Sequence, residues 1–277
     1  MAEVTAAAVN ELRKQTGVPM MDCKKALADA AGDMSKAKDL LRERGIAKGA
    51  GRADRETAFG RFGLFFGHAE KAGGIVELKC ESAPVTQNEE FIQFCNDLAK
   101  QMAASPDVKT AEDLLKKPSP SKPGMTLGDV KDDMFNRIRE VFNVGRLARI
   151  EGPTGGYSHN SGTVSGVLIG VEGASDEAAK DICMHIAAMR PKATSKEEID
   201  PALIEKERTF LKDQALKEGK PANIVDKMVE GRLKQFYAEH ALLEQPFVKD
   251  DKQTVAAYAA SKGLKVKSFI HWELGRE

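Results

Sequence analysis

The chain has 277 residues, and its 42 basic residues balance 42 acidic ones, so the formal net charge is zero. This balance argues against an extended nucleic-acid-binding surface, which needs an excess of basic side chains. Apolar residues make up 42% of the chain and charged residues 30%, which predicts a folded, helix-rich protein. No apolar run has the length of a membrane span, and the first residues lack the pattern of a signal peptide. We therefore expect a cytoplasmic protein whose partners include neither nucleic acid nor a membrane.

The beginning of the chain, residues 1–50, predicts a separate unit of three short helices. Gly17 suits the left-handed residue that ends the first helix, and Pro19 prevents that helix from continuing. Asp22 is predicted to cap the second helix, and the third is expected to end near Gly45. Such a unit has a very small core and is marginally stable alone.

Glycines and charged residues follow in residues 45–56, which predicts an exposed linker. The basic residues in and before this segment are interpreted as solvated side chains rather than as a nucleic-acid-binding patch. They are Arg42, Arg44, Lys48, Arg52 and Arg55.

A β-rich part begins after the linker, and residues 51–140 are predicted to hold the linker and a first core subdomain. Prolines mixed with serine and lysine mark an exposed connection between its two helices. The predicted elements are strands at 59–68 and 75–80 and helices at 88–103 and 127–142.

The remainder, residues 141–277, repeats the order of a strand followed by a helix, which indicates an internal duplication. We predict a second core subdomain here, so the fold class is α+β with two similar subdomains. The predicted elements are strands at 146–151, 164–172 and 264–274 and helices at 175–189 and 254–262.

A different pattern interrupts the second subdomain at about residues 196–243. Two highly charged helical runs, 201–218 and 222–243, flank the turn Gly219-Lys220-Pro221 and predict an inserted antiparallel helical hairpin, a coiled coil. Its predicted apolar stripe consists of Leu203, Leu211, Ala215, Val225, Met228, Val229, Leu233 and Phe236.

The sequence carries no recognisable catalytic motif. It lacks the glycine-rich phosphate loop, the dinucleotide fingerprint and the Gly-x-Ser-x-Gly nucleophile turn. The histidines have no metal-ligand spacing, and the four scattered cysteines are predicted to be buried thiols rather than a zinc site or disulfides. We expect a protein that is not an enzyme and that has no cofactor and no metal.

The segment 12–27 carries the strongest signal, reading Leu-Arg-Lys-Gln-Thr-Gly-Val-Pro-Met-Met-Asp-Cys-Lys-Lys-Ala-Leu. It closely resembles the N-terminal signature of the elongation factor Ts family, which supplies the nucleotide-exchange factor for the GTPase elongation factor Tu. The resemblance implies a ubiquitin-associated-like three-helix module at the N-terminus and a core of two similar subdomains. It also implies a protruding coiled coil that serves partner contact or homodimer formation.

The first candidate site is the corner before the second helix, where Met20, Met21 and Asp22 are followed by Lys24. Methionine is flexible and polarizable, and at such a corner it forms adaptable contact surfaces. The alternative is that both methionines fill the core between the helices. The resemblance favours contact with elongation factor Tu.

The second candidate site follows Cys80, where the family typically reads Cys-Gln/Glu-Thr-Asp-Phe-Val and the Phe wedges into the GTPase. Here Ser82, Ala83, Pro84 and Val85 occupy the last four positions, so the aromatic wedge is absent. The resemblance assigns the wedge to these residues, with Pro84 as a small rigid apolar group. Alternatively, they form only the turn that ends a strand.

The third candidate site is Gly156-Tyr157-Ser158-His159, predicted to be a polar loop. The family has a Tyr-x-His pattern in the equivalent loop, so the resemblance assigns Tyr157 and His159 a contact with the GTPase outside its nucleotide domain. Without the resemblance, His159 would be read as a solvated loop residue.

These sites leave three functional hypotheses. The first is a guanine-nucleotide exchange factor for elongation factor Tu, which needs no catalytic side chain. The second is a binding or scaffold module without exchange activity, which the changes at Ala83 and Pro84 favour. The third is a thiol enzyme that uses Cys80 beside Glu81, although no histidine lies near in sequence to activate the thiol.

Overall fold

The structure is a computed structural model that describes residues 4–50, 55–219 and 221–276. The helices are α1 (Ala6–Thr16), α2 (Met20–Asp29), α3 (Met34–Ala50), α4 (Glu89–Ala104), α5 (Ala111–Leu115), α6 (Leu127–Ile138), α7 (Asp176–Met189), α8 (Pro201–Lys217), α9 (Ala222–His240) and α10 (Val255–Ser261). The strands are β1 (Phe59–Phe65), β2 (Ala72–Cys80), β3 (Phe142–Glu151), β4 (Thr154–His159), β5 (Ser165–Glu172), β6 (Pro246–Phe247), β7 (Asp250–Thr254) and β8 (Lys265–Glu273). The predicted α+β class is confirmed.

Helices α1–α3 form the predicted N-terminal module. Gly17 has a φ of +67° and ends α1, with its N–H donating to the carbonyl oxygen of Arg13 at 2.8 Å. Small and branched apolar residues at helical spacing fill the interior. These residues are Val9, Leu12, Val18, Cys23, Ala26, Leu27, Ala30, Ala37 and Leu41.

Two expectations for this module are wrong. Helix α2 already begins at Met20, and the residue before it is Pro19, so Asp22 does not cap the helix. Asp22 lies in the first turn, where the helix dipole favours a carboxylate, and it accepts a bond from the guanidinium of Arg139. Helix α3 does not end near Gly45 but continues to Ala50, so the first part of the predicted linker is helical. The next four residues lie outside the described ranges.

Gly45 is required for close helix packing rather than for a helix end. It is buried where α3 crosses α6, and a Cβ atom there would lie 1.7 Å from Oδ1 of Asn136. A side chain at this position would therefore displace the buried Asn136 side chain or separate α3 from α6. This contact explains why a glycine that resembles a C-cap occurs in the middle of a helix.

Two members of the basic segment, Arg42 and Arg44, lie in helix α3 rather than in a linker. Arg42 pairs with Asp129 of α6, and Arg44 pairs with Asp29 of α2. Arg55, which is exposed, forms an ion pair of 3.0 Å with Glu81. The side chain of Lys48 and the whole of Arg52 lie outside the part of the chain that the structure describes.

Two antiparallel three-stranded sheets form the core, with the orders β1-β2-β3 and β4-β5-β8. In each sheet the central strand leads into a helix, α4 after β2 and α7 after β5, that covers the outer face of its sheet. The inner faces meet where Gly166 of β5 lies against the side chain of Phe62. The two subdomains therefore repeat one arrangement, as predicted. The boundaries at residues 50 and 140 stay predictions.

Several elements differ from the sequence prediction. Helix α6 ends at Ile138 rather than at residue 142, because Phe142 begins β3 and packs its ring 5.6 Å from that of Phe91. The predicted loop of the third candidate site is strand β4, although Gly155 and Gly156 disfavour a strand by propensity. Tertiary contact overrides that preference, since β4 pairs with β5 along its length. The short helix α5 was not predicted.

The helical hairpin is formed by α8 and α9, which pack antiparallel and carry cross-helix ion pairs such as that of Arg208 and Glu230 at 2.6 Å. Leu203 was assigned to the apolar stripe, but its side chain is 44% exposed, and the neighbouring Ile204 packs inward instead. Position 204 continues the helical spacing of the buried residues, whereas 203 lies on the flank. The buried stripe consists of Leu211, Ala215, Val225, Val229 and Leu233. Lys220 of the predicted turn is outside the described residues.

A buried ion pair joins the two sheets at one edge. Both carboxylate oxygens of Glu77 accept from the guanidinium of Arg146 at 3.0 Å. That guanidinium also donates to the carbonyl oxygen of Glu273 at 2.8 Å and lies over the rings of Phe62 and Trp272, 5.7 and 5.2 Å from their centroids. Arg146 thus connects β2, β1 and β8 through one planar group.

A buried histidine stabilises the second subdomain. His185 of α7 is fully buried, and Val248 donates its N–H to Nδ1 at 3.1 Å. Nδ1 must then be an acceptor, so the proton is assigned to Nε2, which lies 2.8 Å from Oε1 of Gln245. Burial is the main cause that lowers the pKa of His185 below 6.5, and the bond to Gln245 partly opposes it.

This histidine predicts a loss of stability in mild acid. The unfolded chain binds a proton at His185 below about pH 6.5, whereas the folded chain binds it only at lower pH. The free energy of unfolding therefore falls as the pH drops from 7.5 to 5.5, and the fall should be smaller in His185→Asn. Urea unfolding at several pH values measures this, with His159→Asn as the control for loss of an exposed histidine. Parallel curves for wild type and His185→Asn would contradict the assignment.

Candidate functional site

The first candidate site lies at the exposed start of α2. Met20 is 44% exposed and Met21 is 73% exposed, and Lys24, one turn later, is also exposed. The opposite side of α2 carries Cys23 and faces the module core. The alternative in which both methionines fill the core is therefore wrong. The corner presents two flexible apolar side chains and one cation to solvent.

This corner is held against the rest of the protein through Arg139. Arg139 follows α6 with a φ of +69°, in the left-handed conformation that ends the helix. Its guanidinium donates to the carboxylate of Asp22, two residues after Met20. Asp22 thus positions the methionine corner relative to the end of α6.

The second candidate site lies in a short 3-10 helix, Ala83–Gln87. This helix begins directly after Ser82, which is two residues beyond the end of strand β2. Ala83 and Pro84 are exposed, and Pro84 stands in its first turn, where the missing N–H is tolerated. Val85 is 9% exposed and packs in the first subdomain core. Of the four residues assigned to this site, only Ala83 and Pro84 are fully presented to solvent.

Two glutamates fix this turn from both sides. Glu140 accepts from the N–H of Ser82 at 3.0 Å and from its hydroxyl group. Glu81 in turn accepts from the N–H of Val141 at 2.8 Å and pairs with Arg55 at 3.0 Å. We call this arrangement the glutamate clamp, formed by Glu81, Ser82, Glu140 and Val141. Bonds to charged acceptors are about twice as strong as neutral ones, so the turn is rigid.

The sequence prediction missed the segment 139–141, which connects the first two sites. Arg139 reaches Asp22 at the methionine corner, and Glu140 reaches Ser82 at the turn. No local pattern marks these residues, because Ser82 and Glu140 are 58 positions apart. These residues connect the two sites because the end of α6 lies between them.

The third candidate site lies at the end of β4. His159 is exposed, and its Nδ1 is 2.9 Å from Oη of the half-buried Tyr157. Backbone pairing of His159 with Ser165 places it at the tip of the β4–β5 hairpin. Thr163 in that tip lines the same surface cavity as Pro84. The hairpin tip and the turn after β2 are therefore neighbours.

Cys80, the candidate nucleophile, is unsuited to thiol chemistry. It is fully buried, and its Sγ donates to the carbonyl oxygen of Ser82 at 3.3 Å. Burial raises the pKa of the thiol to about 12, with a further contribution from the charge of Glu140. Because the thiolate is the reactive form, Cys80 acts as a small core residue.

Among the residues that the structure describes, no group of three or more histidine, cysteine, aspartate or glutamate side chains is arranged to hold a metal ion. None of the helices within the described ranges has both the length and the apolar content needed to cross a bilayer.

Comparison with known proteins identifies the family. The family model described as elongation factor TS matches residues 67–276. Elongation factor Ts of Pediococcus pentosaceus is 42% identical over 99% of this chain and 93% of its own length. Elongation factor Ts of Methylococcus capsulatus is 40% identical over 98% of this chain and 92% of its own length. These matches define the class of the protein as a translation elongation factor. More specifically, the chain belongs to the elongation factor Ts family.

Proposed function

We propose that this protein is a guanine-nucleotide exchange factor that binds elongation factor Tu·GDP and promotes release of GDP during translation elongation in the cytoplasm. The observation that carries the proposal is the exposed Ala83-Pro84 turn, which lies beside the β4–β5 tip and is linked to the methionine corner through the segment 139–141. A rigid surface of this kind can insert into a partner without losing much conformational entropy.

Exchange of this kind requires differential binding rather than a catalytic side chain. If the protein binds the nucleotide-free GTPase more tightly than the GDP form, linkage requires that it weaken GDP binding by the same factor. The protein is therefore not an enzyme in this proposal, and it needs no cofactor.

The candidate residues receive distinct roles. Met20, Met21 and Lys24 make adaptable contacts at the start of α2, where both methionines are exposed. Ala83 and Pro84 form the wedge. Ser82 and Val85 position the wedge, and Asp22 positions the methionine contacts.

Tyr157 and His159 form a further contact at the β4–β5 tip. The Tyr157 hydroxyl group lies 2.9 Å from Nδ1 of His159 and orients the imidazole ring toward solvent. This contact, next to the wedge, would reach a second domain of the GTPase.

One observation favours a second candidate function, a binding module without exchange activity. Pro84 is the apolar group that projects from the turn, and it is much smaller than an aromatic side chain. The helical hairpin would then serve as the main contact element or as a homodimer interface. Its exposed Phe210, at 62%, supports a role in association.

Release of fluorescent GDP from elongation factor Tu tests the proposal. Wild-type protein should accelerate release, and His159→Ala should weaken the complex by roughly 1 kcal/mol, as expected for an interface contact. Tight binding without acceleration would favour the binding-module function, and rescue by Pro84→Phe would place the defect at the turn. Unchanged affinity of His159→Ala would remove that residue from the interface.

A further inference from the structure

An exposed aromatic side chain, that of Phe59, lies beside the clamped turn. Phe59 is the first residue of β1, an edge strand, and its backbone pairs with Cys80 at the end of β2. This register places Phe59 next to the 3-10 helix that follows Cys80. The side chain is 45% exposed, which is unusual for phenylalanine at the rim of a core.

Phe59 and the turn share one open cavity of about 520 Å³. Much of the Phe59 side chain remains uncovered at this cavity. Among the described residues that line the cavity, none carries a charge. The lining consists of Ala58, Phe59, Gly60, Ala83, Pro84, Thr86, Gln87, Thr163 and Leu274.

The cavity wall is fixed before any partner binds. The hydroxyl group of Thr86 donates to the carbonyl oxygen of Ala83 at 2.7 Å, which closes the 3-10 helix internally. The carbonyl oxygen of Thr86 accepts from Arg61 of β1 at 2.8 Å, which ties the helix to the strand that carries Phe59. Together with the glutamate clamp, these bonds link the turn that carries Pro84 to the strand that carries Phe59.

We propose that Phe59 is a partner-contacting residue that forms, together with Pro84, a single apolar contact with the GTPase. The occupant of the cavity is an uncharged apolar segment of that GTPase, because the lining residues that the structure describes are uncharged and include Phe59, Pro84 and Leu274. The cavity is continuous with the Ala83-Pro84 turn, so both contacts belong to one interface. This inference rests on the proposed function.

The proposed contact supplies an aromatic side chain, which the Ala83-Pro84 turn lacks. Aromatic side chains in well-packed pockets dominate many interfaces, whereas proline and alanine bury little area. Phe59 provides an aromatic surface from the neighbouring strand rather than from the turn itself. The interface thus retains an aromatic anchor, displaced by one strand.

The test compares Phe59→Ala with Phe66→Ala in the full-length protein. Phe66 follows the other end of β1 and is 43% exposed, so the two substitutions remove the same group at a similar exposure. Calorimetric binding to nucleotide-free elongation factor Tu should weaken about tenfold for Phe59→Ala, equivalent to about 1.4 kcal/mol. The Phe66→Ala variant should stay within about twofold of wild type. Thermal unfolding of each variant verifies that both are folded.

A double variant distinguishes loss of a direct contact between Phe59 and the GTPase from a general structural effect of the substitution. Phe59→Ala with Pro84→Phe restores an aromatic ring at the neighbouring position and should recover most of the lost affinity. Wild-type affinity in Phe59→Ala, or equal losses in Phe59→Ala and Phe66→Ala, would overturn the inference and leave the proposed function intact. If wild-type protein does not bind the GTPase at all, the proposed function and the inference both fail.

Discussion

Replacing Glu140 with alanine is expected to slow the GDP release stimulated by this protein about tenfold, equivalent to about 1.4 kcal/mol. The substitution removes the acceptor for both the N–H and the hydroxyl group of Ser82. The turn that presents Ala83 and Pro84 then becomes mobile, and ordering it on binding consumes part of the binding free energy. The release rate should be measured at a temperature well below the unfolding midpoint of the variant.

Glu140→Gln is the matched control, because the amide has nearly the same shape. Its oxygen can accept from the N–H of Ser82, and its NH₂ group can donate to the Ser82 hydroxyl oxygen. Most of the activity should therefore remain. If Glu140→Ala is as active as wild type, the clamp does not prepare the turn for binding. If Glu140→Gln is as slow as Glu140→Ala, the negative charge itself is required.

The largest effect on stability is expected for Arg146→Ala, a loss of about 3 kcal/mol in the free energy of unfolding. Glu77 is only 2% exposed, so its carboxylate would remain buried without its main partner. Lys79 lies 4.0 Å from that carboxylate and compensates only in part. The variant also loses the stacking of the guanidinium on Trp272. A typical domain has only about 5–15 kcal/mol of stability, so the unfolding midpoint should fall sharply.

Two comparisons identify the cause of this loss. Arg208→Ala removes an exposed ion pair on the hairpin, where the expected change is below about 1 kcal/mol. The double variant Arg146→Met with Glu77→Gln removes both charges together, and it should be more stable than Arg146→Ala. Urea unfolding of the four proteins measures these differences. Equal stability of Arg146→Ala and Arg208→Ala would show that the buried pair contributes little.

Much of the fold followed from periodicity and from turn residues. The apolar spacing of residues 88–103 predicted α4 within one residue at each end, because one face of that helix packs on a sheet. Gly219 and Pro221 separated the two charged helices correctly. Strand β4 was missed because its two glycines mimic a loop, and their close contacts with Ala179 and Phe66 are invisible in sequence.

The sequence predicted those parts of the candidate surface that depend on adjacent residues, and it did not predict those that depend on long-range contacts. The sequence by itself determined the family signature at residues 12–27, the presence of Pro84 in the turn, and the absence of a catalytic motif. These are properties of adjacent residues, which local chemistry specifies. Asp22 does not cap α2, because the helix already begins at Met20, and its partner Arg139 lies 117 positions away in the chain.

Only the tertiary structure decided that Glu140 fixes the turn at Ser82 and that Phe59 shares a cavity with Pro84. The methionines could have pointed either way, and the packing of Cys23 into the module core turned them outward. Each of these outcomes depends on contacts between segments far apart in the chain. Such contacts follow from how helices and sheets pack, and a single sequence does not encode them in any local pattern.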